Sequence, residues 1–271
     1  MEQLEIKNKF NYMFMKIRLK LLILILLVVF IDFNIYSQNC KIKNIEIPVV
    51  KKNEAKLCHT HYCFVYSEEH EQSKWIAYAL EDYMLQGNAK RSNKFIPDPL
   101  VITETANDKD YKGSGYDKGH LLPASDMSFD KKAMDETFYY SNISPQLASF
   151  NRGIWKKLEN YVRTISTNLA CVYVVTGPVL EKNLDYIGEN KVSVPNYFYK
   201  TLLYCSDTLI SGIAFLIPNA KLEDNDIFSY TLSIRELEKI TGINFWHKLP
   251  WLIERRVEKN TNFEFWEQFA K

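Results

Sequence analysis

The fold is decided by DKGHLLPASDM at residues 117–127 and by YYSNISPQLASFNRGIWKKLENYVR at residues 139–163. In the second segment, apolar side chains recur at helical spacing, which predicts a long helix over about residues 152–167. A short helix is predicted between the two segments, from Asp130 to Thr137. The stretch therefore predicts a strand ending near His120, an irregular region, and two helices.

His120 is the first candidate catalytic residue. It follows a glycine-rich approach at Lys112–Gly115, and glycines let a backbone turn closely and leave room for a large substrate. A neutral imidazole at the end of a strand can take a proton from water at physiological pH. A single histidine after a strand is more often structural, so the residues around it have to carry the argument.

The long helix carries three residues that support a catalytic role for His120, namely Asn151, Glu159 and Arg163. An asparagine oxygen is a hard ligand that suits Mg²⁺, an ion often held by few protein groups and several waters. Asn151 could instead be an N-cap, and Glu159 and Arg163, four residues apart, could form an ordinary surface pair. Taken together with His120, they predict a site that hydrolyses phosphodiesters through a histidine base, a metal ion and nearby cations.

The same residues resemble the DNA/RNA non-specific endonuclease family, which has a ββα-metal finger. The family signature D-R-G-H corresponds to Asp117–His120, which reads DKGH, and a Leu/Ala/Pro-rich segment follows in both. The family block S-N-[IV]-[AST]-P-Q corresponds to Ser141–Gln146. The block L-N-x-x-x-W-x-x-L-E corresponds to Phe150–Glu159. The three blocks occur in the family order and spacing, and a weaker resemblance extends from about Tyr62 to the C-terminus.

The resemblance implies a role for each matching residue. His120 would be the general base, and Asn151 the one direct protein ligand of Mg²⁺, or of Mn²⁺ or another divalent cation. Glu159 would hold metal-bound water, and Asn142 would orient His120 or the nearby substrate.

The resemblance also implies roles for three cations. Arg91 and Arg163 match arginines that the family uses near the phosphate and the metal. Lys118 replaces the usual arginine of the signature, which keeps the charge but loses the bidentate fork.

The resemblance implies a Mg²⁺-dependent endonuclease that cleaves DNA and RNA with little sequence preference and leaves 5′-phosphate ends. Two alternatives remain open. One is a nuclease fold without activity that binds nucleic acid or a protein. The other is a phosphodiesterase or phosphatase for small substrates. A homodimer is compatible with the sequence.

Residues 1–37 are interpreted as a signal peptide, with translation starting at Met1, Met13 or Met15. Lys16, Arg18 and Lys20 precede an apolar run from Leu21 to Ile31. This run is shorter than the roughly 20 residues of a transmembrane helix and suits a signal-peptide core. Secretion or a periplasmic location is therefore predicted, with an uncleaved membrane anchor as the alternative and no stable membrane partner after cleavage.

The charge of the remaining chain, residues 38–271, excludes a generally basic nucleic-acid binder. Without residues 1–37, the chain keeps 29 basic and 30 acidic side chains of the 34 and 33 in the full sequence. Non-specific binders usually show a strong basic excess. Contact with DNA or RNA must therefore come from a local basic cleft, for which the candidates are Lys90, Arg91, Lys94, Lys112, Lys118, Arg152, Lys156 and Arg163. Of these, Lys94, Lys112 and Arg152 are predicted to bind substrate, whereas Lys156 is assigned to a solvated helix face.

Five cysteines occur in the chain, and some should pair in an exported protein. Cys58 with Cys63 could close a short loop, and Cys171 with Cys205 could link neighbouring strands. The segment Cys58–Cys63, CHTHYC, could alternatively bind zinc, although its spacing is not a standard zinc pattern.

The fold class that follows is α+β. Alternation predicts a hairpin at residues 61–80, and apolar runs predict further strands at 172–176, 197–204 and 209–217. Ser233 and Glu236 predict a capped helix that stops at Gly242. We expect residues 38–271 to form one domain, a mainly antiparallel sheet with flanking helices and a ββα-metal finger.

Overall fold

The computed structural model describes residues 42–270, which form a central antiparallel sheet with flanking helices. In chain order the strands are β1 (Lys56–Cys58), β2 (Cys63–Ser67), β3 (Gln72–Glu81), β4 (Asp117–His120), β5 (Ile143–Gln146), β6 (Cys171–Pro178), β7 (Tyr186–Ile187), β8 (Val192–Ser193), β9 (Tyr197–Cys205), β10 (Ile210–Pro218) and β11 (Thr231–Leu232). Within the described residues, seven of them form the main sheet in the order β1-β2-β3-β6-β9-β10-β11. Each neighbouring pair in that sheet is antiparallel.

Helices cover the sheet and surround the candidate site. They are α1 (Asp108–Tyr111), α2 (Lys131–Glu136), α3 (Ala148–Phe150), α4 (Lys156–Leu169), α5 (Ile234–Thr241), α6 (Trp251–Lys259) and α7 (Phe263–Glu267). A π-helical turn, Asn151–Trp155, joins α3 to α4. Helix α5 begins with the predicted capping box of Ser233 and Glu236 and ends at Gly242, whose φ of +65° suits glycine.

The two faces of the sheet bury two separate apolar cores. Side chains alternate along a strand, so Phe198 and Leu202 of β9 join the core that contains α4, while Tyr199 and Leu203 join the other. Helix α4 contributes Leu158, Val162 and Ile165 to the first core. Helices α5 and α6 cover the second. The core that contains α4 lies beneath the candidate site.

The predicted fold class is confirmed. The hairpin of β2 and β3, the strands β6, β9 and β10, and the short helix α2 occupy the predicted positions with small shifts at their ends. None of the helices between residues 42 and 270 combines the length and the apolar character that crossing a membrane requires. The segment interpreted as a signal peptide, residues 1–37, lies outside the described residues.

The cysteines follow the prediction in one pair and depart from it in the other. Cys58 and Cys63 are cross-strand neighbours in β1 and β2 and form a disulfide, so neither sulfur is available to zinc as a thiolate. The predicted Cys171–Cys205 pair is wrong, because Cys171 is a free, buried thiol. Burial keeps that thiol protonated by raising its pKa to about 12.

The Cys58–Cys63 disulfide is expected to stabilise the fold. Its short loop holds His59 against Asp98 at 2.8 Å and Thr60 against Glu136 at 2.8–2.9 Å. Replacing both cysteines by alanine should lower the free energy of unfolding by about 2 kcal/mol, the loop-closure value for a ring of this size. Urea unfolding measures the change. An unchanged midpoint would mean that the His59 and Thr60 contacts already order the loop without the bond.

Candidate active site

A two-stranded ribbon followed by a helix positions the candidate catalytic groups. Strands β4 and β5 pair antiparallel, with Asp117 opposite Gln146 and His120 opposite Ile143. A Cβ atom on Gly119 would lie 2.1 Å from the Gln146 side chain, so the ribbon needs glycine there. The chain then passes through α3 and the π-helical turn into α4. This arrangement brings His120 and Asn151 to the same cavity.

The site cavity has a volume of about 400 Å³ and is strongly cationic. Its lining consists of Arg91, Lys118, His120, Pro123, Ala124, Ser125, Asn151, Arg152, Lys156, Glu159 and Arg163. Five of these side chains carry positive charge and one is a carboxylate. A cavity with this lining suits a polyanionic substrate, although the chain as a whole is nearly neutral.

His120 is held by aromatic rings rather than by polar contacts. Its ring lies 5.0 Å from that of Phe138 and 5.6 Å from that of Phe95, measured between centroids. Its Nε2 atom is buried and makes no hydrogen bond to the described residues. Burial, with a smaller contribution from Arg91, lowers the pKa of His120 to about 3. The imidazole is therefore neutral at physiological pH, the form that accepts a proton.

Acid is expected to destabilise the protein through His120. Its pKa falls from an ordinary 6.5 to about 3 on folding, so the unfolded chain binds the proton more tightly. The stability that this group contributes is complete above pH 6.5 and is lost as the pH falls towards 3. Urea unfolding at about pH 7 and about pH 4.5 should show a larger loss for wild type than for His120→Phe, which has no titrating ring. Equal losses of stability in the two proteins would contradict a buried, neutral His120 in the folded state.

Asn151 has its side chain oriented by Asp117. The Asn151 Nδ2 atom donates to Asp117 Oδ2 at 2.9 Å, and Asp117 also accepts from Arg152 Nε and Nη2 at 2.8 and 2.7 Å. This commitment of the amide nitrogen leaves the Oδ1 oxygen of Asn151 as the free end of the group. The alternative of an N-cap is wrong, because Leu147 caps α3 and Asn151 lies within the helical run.

Glu159 is the carboxylate of the cavity. It is partly buried, and no described residue hydrogen-bonds or ion-pairs with it. Burial raises its pKa, Asp126 adds to that, and Lys200, Arg163 and Arg91 oppose it. A free, partly buried carboxylate beside cations is suited to hold a metal ion's water shell.

The alternative of an ordinary surface pair between Glu159 and Arg163 is wrong. Arg163 Nη1 donates to Asp126 Oδ1 at 2.8 Å, and the Asp126 carboxylate also accepts from Tyr78 Oη at 3.1 Å. Asp126 is buried and lies on a 3₁₀ turn, Ala124–Met127, that follows β4 and precedes α2. Arg163 therefore pairs with a residue of another element and not with Glu159, its neighbour four residues earlier on the helix.

Asn142 makes its side-chain hydrogen bonds to the backbone and none to the His120 ring. It is fully buried, accepts from the Leu122 amide at 2.8 Å, and donates to the carbonyls of Leu122 and Thr137 at 2.9 and 2.8 Å. These bonds tie the segment after His120 to the end of α2. The role predicted for Asn142, to orient His120 or the nearby substrate, stays a prediction.

The predicted substrate-binding cations divide into two groups. Arg91 and Lys118 line the cavity, where Arg91 lies over the Phe138 ring at 5.1 Å and Lys118 over the Phe95 ring at 4.7 Å. Lys118 is also paired with Asp108, which anchors its charge. Lys94 and Lys112 are exposed and do not line the cavity. The structure brings Arg152 to the cavity with the first group.

Three residues around the site were missed by sequence reasoning. Lys156 lines the cavity, although its helical position was assigned to solvent. Asp126 lies in the quoted stretch but carried no pattern that marked it. Lys200 interrupts the apolar strand YFYKTLLYC of β9, and a charge inside a buried strand was the available signal.

The donor set of the cavity fits a hard divalent cation. Asn151 Oδ1 is an uncommitted amide oxygen, and Glu159 is an uncommitted carboxylate. Mg²⁺ prefers oxygen ligands, keeps several waters and rarely needs a cage of protein groups. Residues 42–270 contain no group of three or more histidine, cysteine or acidic side chains arranged for a metal, so the fit rests on these two oxygens.

The ribbon and helix that carry His120 and Asn151 have the arrangement of a ββα-metal finger. The chain matches the DNA/RNA non-specific endonuclease family over residues 41–251. The chain belongs to the DNA/RNA non-specific endonuclease family.

Individual relatives agree with the family. Mitochondrial nuclease EXOG of Homo sapiens is 34% identical over 210 residues, covering 71% of this chain and 57% of that protein. Mitochondrial endonuclease G of Homo sapiens is 31% identical over 198 residues, covering 68% and 67%. A crystal structure of an EndoG/EndoGI complex superposes with a TM-score of 0.71 at 28% identity, covering 81% of this chain and 94% of that chain. The chain spans about 60% of the length of the EXOG relatives.

The predicted secretion is wrong. The EXOG relatives, endonuclease G and the Saccharomyces cerevisiae relative are all named as mitochondrial nucleases. These names point to a mitochondrial rather than a secreted location. An apolar run after basic residues is a pattern that export signals share with other N-terminal segments, so it does not identify a compartment by itself.

Proposed function

We propose that this chain is a metal-dependent endonuclease that hydrolyses phosphodiester bonds of both DNA and RNA with little sequence preference. The observation that carries the proposal is one cavity that combines a neutral buried His120, the free oxygen of Asn151 and five cationic side chains. Membership of the endonuclease family supports the reaction class.

His120 is proposed as the general base. Its neutral ring takes a proton from a water molecule as the water oxygen bonds to phosphorus and the bond from phosphorus to the 3′ oxygen breaks. The product then carries a 5′-phosphate, and the 3′ oxygen leaves as an alcohol after gaining a proton from solvent. The aromatic rings of Phe95 and Phe138 exclude competing polar partners from the imidazole.

The cations of the cavity are proposed to bind the substrate backbone. Arg91, Arg152 and Arg163 provide guanidinium groups, which match phosphate geometry better than ammonium groups do. Lys118 and Lys156 add charge. Contacts of this kind read phosphates and not bases, so they carry no sequence preference and do not distinguish ribose from deoxyribose.

Asn151 would hold Mg²⁺, with Glu159 hydrogen-bonding the waters of its shell. When bound, a divalent cation supplies charge stabilisation at the phosphate and the leaving oxygen. Asp117 sets the Asn151 amide so that its oxygen faces the cavity. Mn²⁺ meets the same oxygen donors and is expected to substitute.

Digestion of a supercoiled plasmid and of a long RNA tests the proposal. With Mg²⁺, we expect both substrates to degrade without discrete sequence-specific bands, and with EDTA we expect no cleavage. A small chromogenic diester serves as a second substrate. Cleavage of the small diester with intact plasmid would indicate a phosphodiesterase for small molecules, and nucleic-acid binding without turnover would indicate a binding module.

A further inference from the structure

A second cavity, called the side cavity below, adjoins the catalytic cavity. Its volume is about 410 Å³, within the range of about 300–1,000 Å³ that is usual for small-ligand sites. Four residues line both cavities, namely Arg91, Ala124, Ser125 and Arg163. The other residues that line the side cavity do not line the catalytic one and are Leu85, Ala89, Ser128 and Met134. The two cavities therefore meet at a pair of arginines.

The two arginines at this boundary are held by partners of their own. Arg163 Nη1 donates to the buried Asp126 carboxylate at 2.8 Å. Arg91 lies over the Phe138 ring at 5.1 Å and donates from Nε to Asn93 Oδ1 at 2.9 Å. Guanidinium groups bind phosphate oxygens through several parallel N–H donors. A backbone phosphate held here has the catalytic cavity on one side and the side cavity on the other.

The wall of the side cavity is apolar apart from these arginines and two serines. Met134 and Ala124 form a small buried cluster with Phe138, and the half-buried Ala89 packs against it. Leu85 is half-buried as well. Aliphatic side chains, and the polarizable methionine sulfur above all, pack well on the face of an aromatic ring. This wall therefore suits the uncharged part of a nucleotide, which is the base on its sugar.

The polar groups of the side cavity do not favour one base over another. No amide or acidic side chain is among its lining residues. Ser125 is exposed, and Ser128 Oγ donates to the Met84 carbonyl at 3.3 Å. A serine hydroxyl can donate or accept, so it pairs with any base edge. A base in this cavity would be bound mainly through its faces, which agrees with cleavage of little sequence preference.

We propose that the side cavity is a nucleoside subsite, which takes the base and sugar next to the phosphate that Arg91 and Arg163 hold on the strand being cut. The inference rests on the proposed function and deepens it, because it gives a place to the part of the substrate that the cations do not bind. A base has to leave its stack to enter the cavity, so unpaired strands should be cut faster than paired ones.

Equilibrium binding tests the subsite without any reaction. The probe is thymidine 3′,5′-bisphosphate in EDTA, compared by calorimetry with the analogue that has a tetrahydrofuran ring in place of the nucleoside and so lacks the base. We expect the base to tighten binding to wild type by about tenfold, towards the lower end of the effect of a base on an aromatic side chain, since this wall is aliphatic. Equal affinities of wild type for the two ligands would overturn the inference.

Ala89→Phe tests whether the base lies in the side cavity. Ala89 lines the side cavity and not the catalytic one, so the new ring should fill the subsite and leave the phosphate contacts in place. The variant should bind the two ligands equally. Ala55→Phe puts the same ring on an exposed alanine outside both cavities, and it should keep the wild-type difference. A folded Ala89→Phe protein that still prefers the ligand with the base would overturn the inference.

Cleavage of an oligonucleotide tests the subsite during turnover. The substrate is end-labelled, single-stranded oligothymidylate with one tetrahydrofuran residue at its centre, digested with Mg²⁺ and resolved bond by bond on a gel. We expect wild type to cut one of the two bonds that flank the tetrahydrofuran about tenfold more slowly than the distant bonds. Ala89→Phe should cut flanking and distant bonds at one common, lower rate. Equal cutting by wild type would contradict the subsite, and this comparison needs no variant to fold.

Failure of the proposed function would look different. A wild type that does not cleave nucleic acid, but prefers the ligand with the base in a way that Ala89→Phe abolishes, would remove the nuclease proposal and retain the subsite. A normal nuclease whose binding and cleavage are unchanged by the missing base would retain the nuclease proposal and remove the subsite.

Discussion

His120→Ala is expected to lower the rate of plasmid cleavage by about 10²–10⁴-fold, the usual contribution of a general base. The neutral imidazole is the group in the cavity whose state suits proton acceptance, since burial and Arg91 lower its pKa to about 3. Alanine removes that acceptor, while the cations of the cavity continue to bind the phosphate. The loss should therefore appear in kcat more than in KM.

The measurement is the initial rate of plasmid nicking at saturating Mg²⁺, with urea unfolding to establish that the variant is folded. His247→Ala is the matched control, because His247 is partly buried beside Lys248 and does not line the cavity. We expect the control to cleave at the wild-type rate. A folded His120→Ala enzyme with wild-type kcat would exclude His120 as the base.

Asn151→Ala is expected to abolish Mg²⁺-supported cleavage almost completely. Loss of residues that only support a metal ligand costs about 10–100-fold, and loss of the proposed direct ligand should exceed that range. Asp117→Ala keeps the Asn151 oxygen but removes the 2.9 Å bond that orients the amide. We therefore expect Asp117→Ala to fall within the 10–100-fold range.

Titration of activity with Mg²⁺ and calorimetric titration with Mn²⁺ separate metal binding from catalysis. Asn168→Ala is the control, since Asn168 is an exposed asparagine of α4 whose side chain donates to the Thr164 carbonyl. An unchanged Mn²⁺ affinity of the Asn151→Ala variant would show that Asn151 is not a ligand of the metal. Equal losses in the Asn151 and Asp117 variants would mean that orientation of the amide carries the whole effect.

Much of the fold could be predicted from local patterns. The capping box of Ser233 and Glu236 and the alternation in β2, β3, β9 and β10 are properties of short segments, and the structure has these elements at those positions. The cysteine pairing was harder to predict. Cys58 and Cys63 meet because a tight turn between β1 and β2 brings them opposite each other, whereas Cys171 and Cys205 belong to strands that neighbour each other without joining those sulfurs.

The candidate site also has features that the sequence predicts and features that it does not predict. The three sequence blocks contain His120, Asn151 and Glu159, and the structure brings all three to one cavity, although their roles remain predictions. Lys94 and Lys112 were chosen because they are cations near these blocks in sequence. Both are exposed and neither lines the cavity, because nearness in sequence does not fix where a side chain points.

The sequence by itself determined the α+β class, the ribbon and helix of the site, and the identity of the groups that meet there. Only the tertiary structure decided which charges pair. Arg163 takes Asp126 rather than Glu159, and the Lys200 ammonium lies over the Trp155 ring, because folding brings together elements far apart in the chain. Helical spacing fixes which side chains are near one another on α4. Burial and the competition among all nearby charges decide which of those neighbours bind.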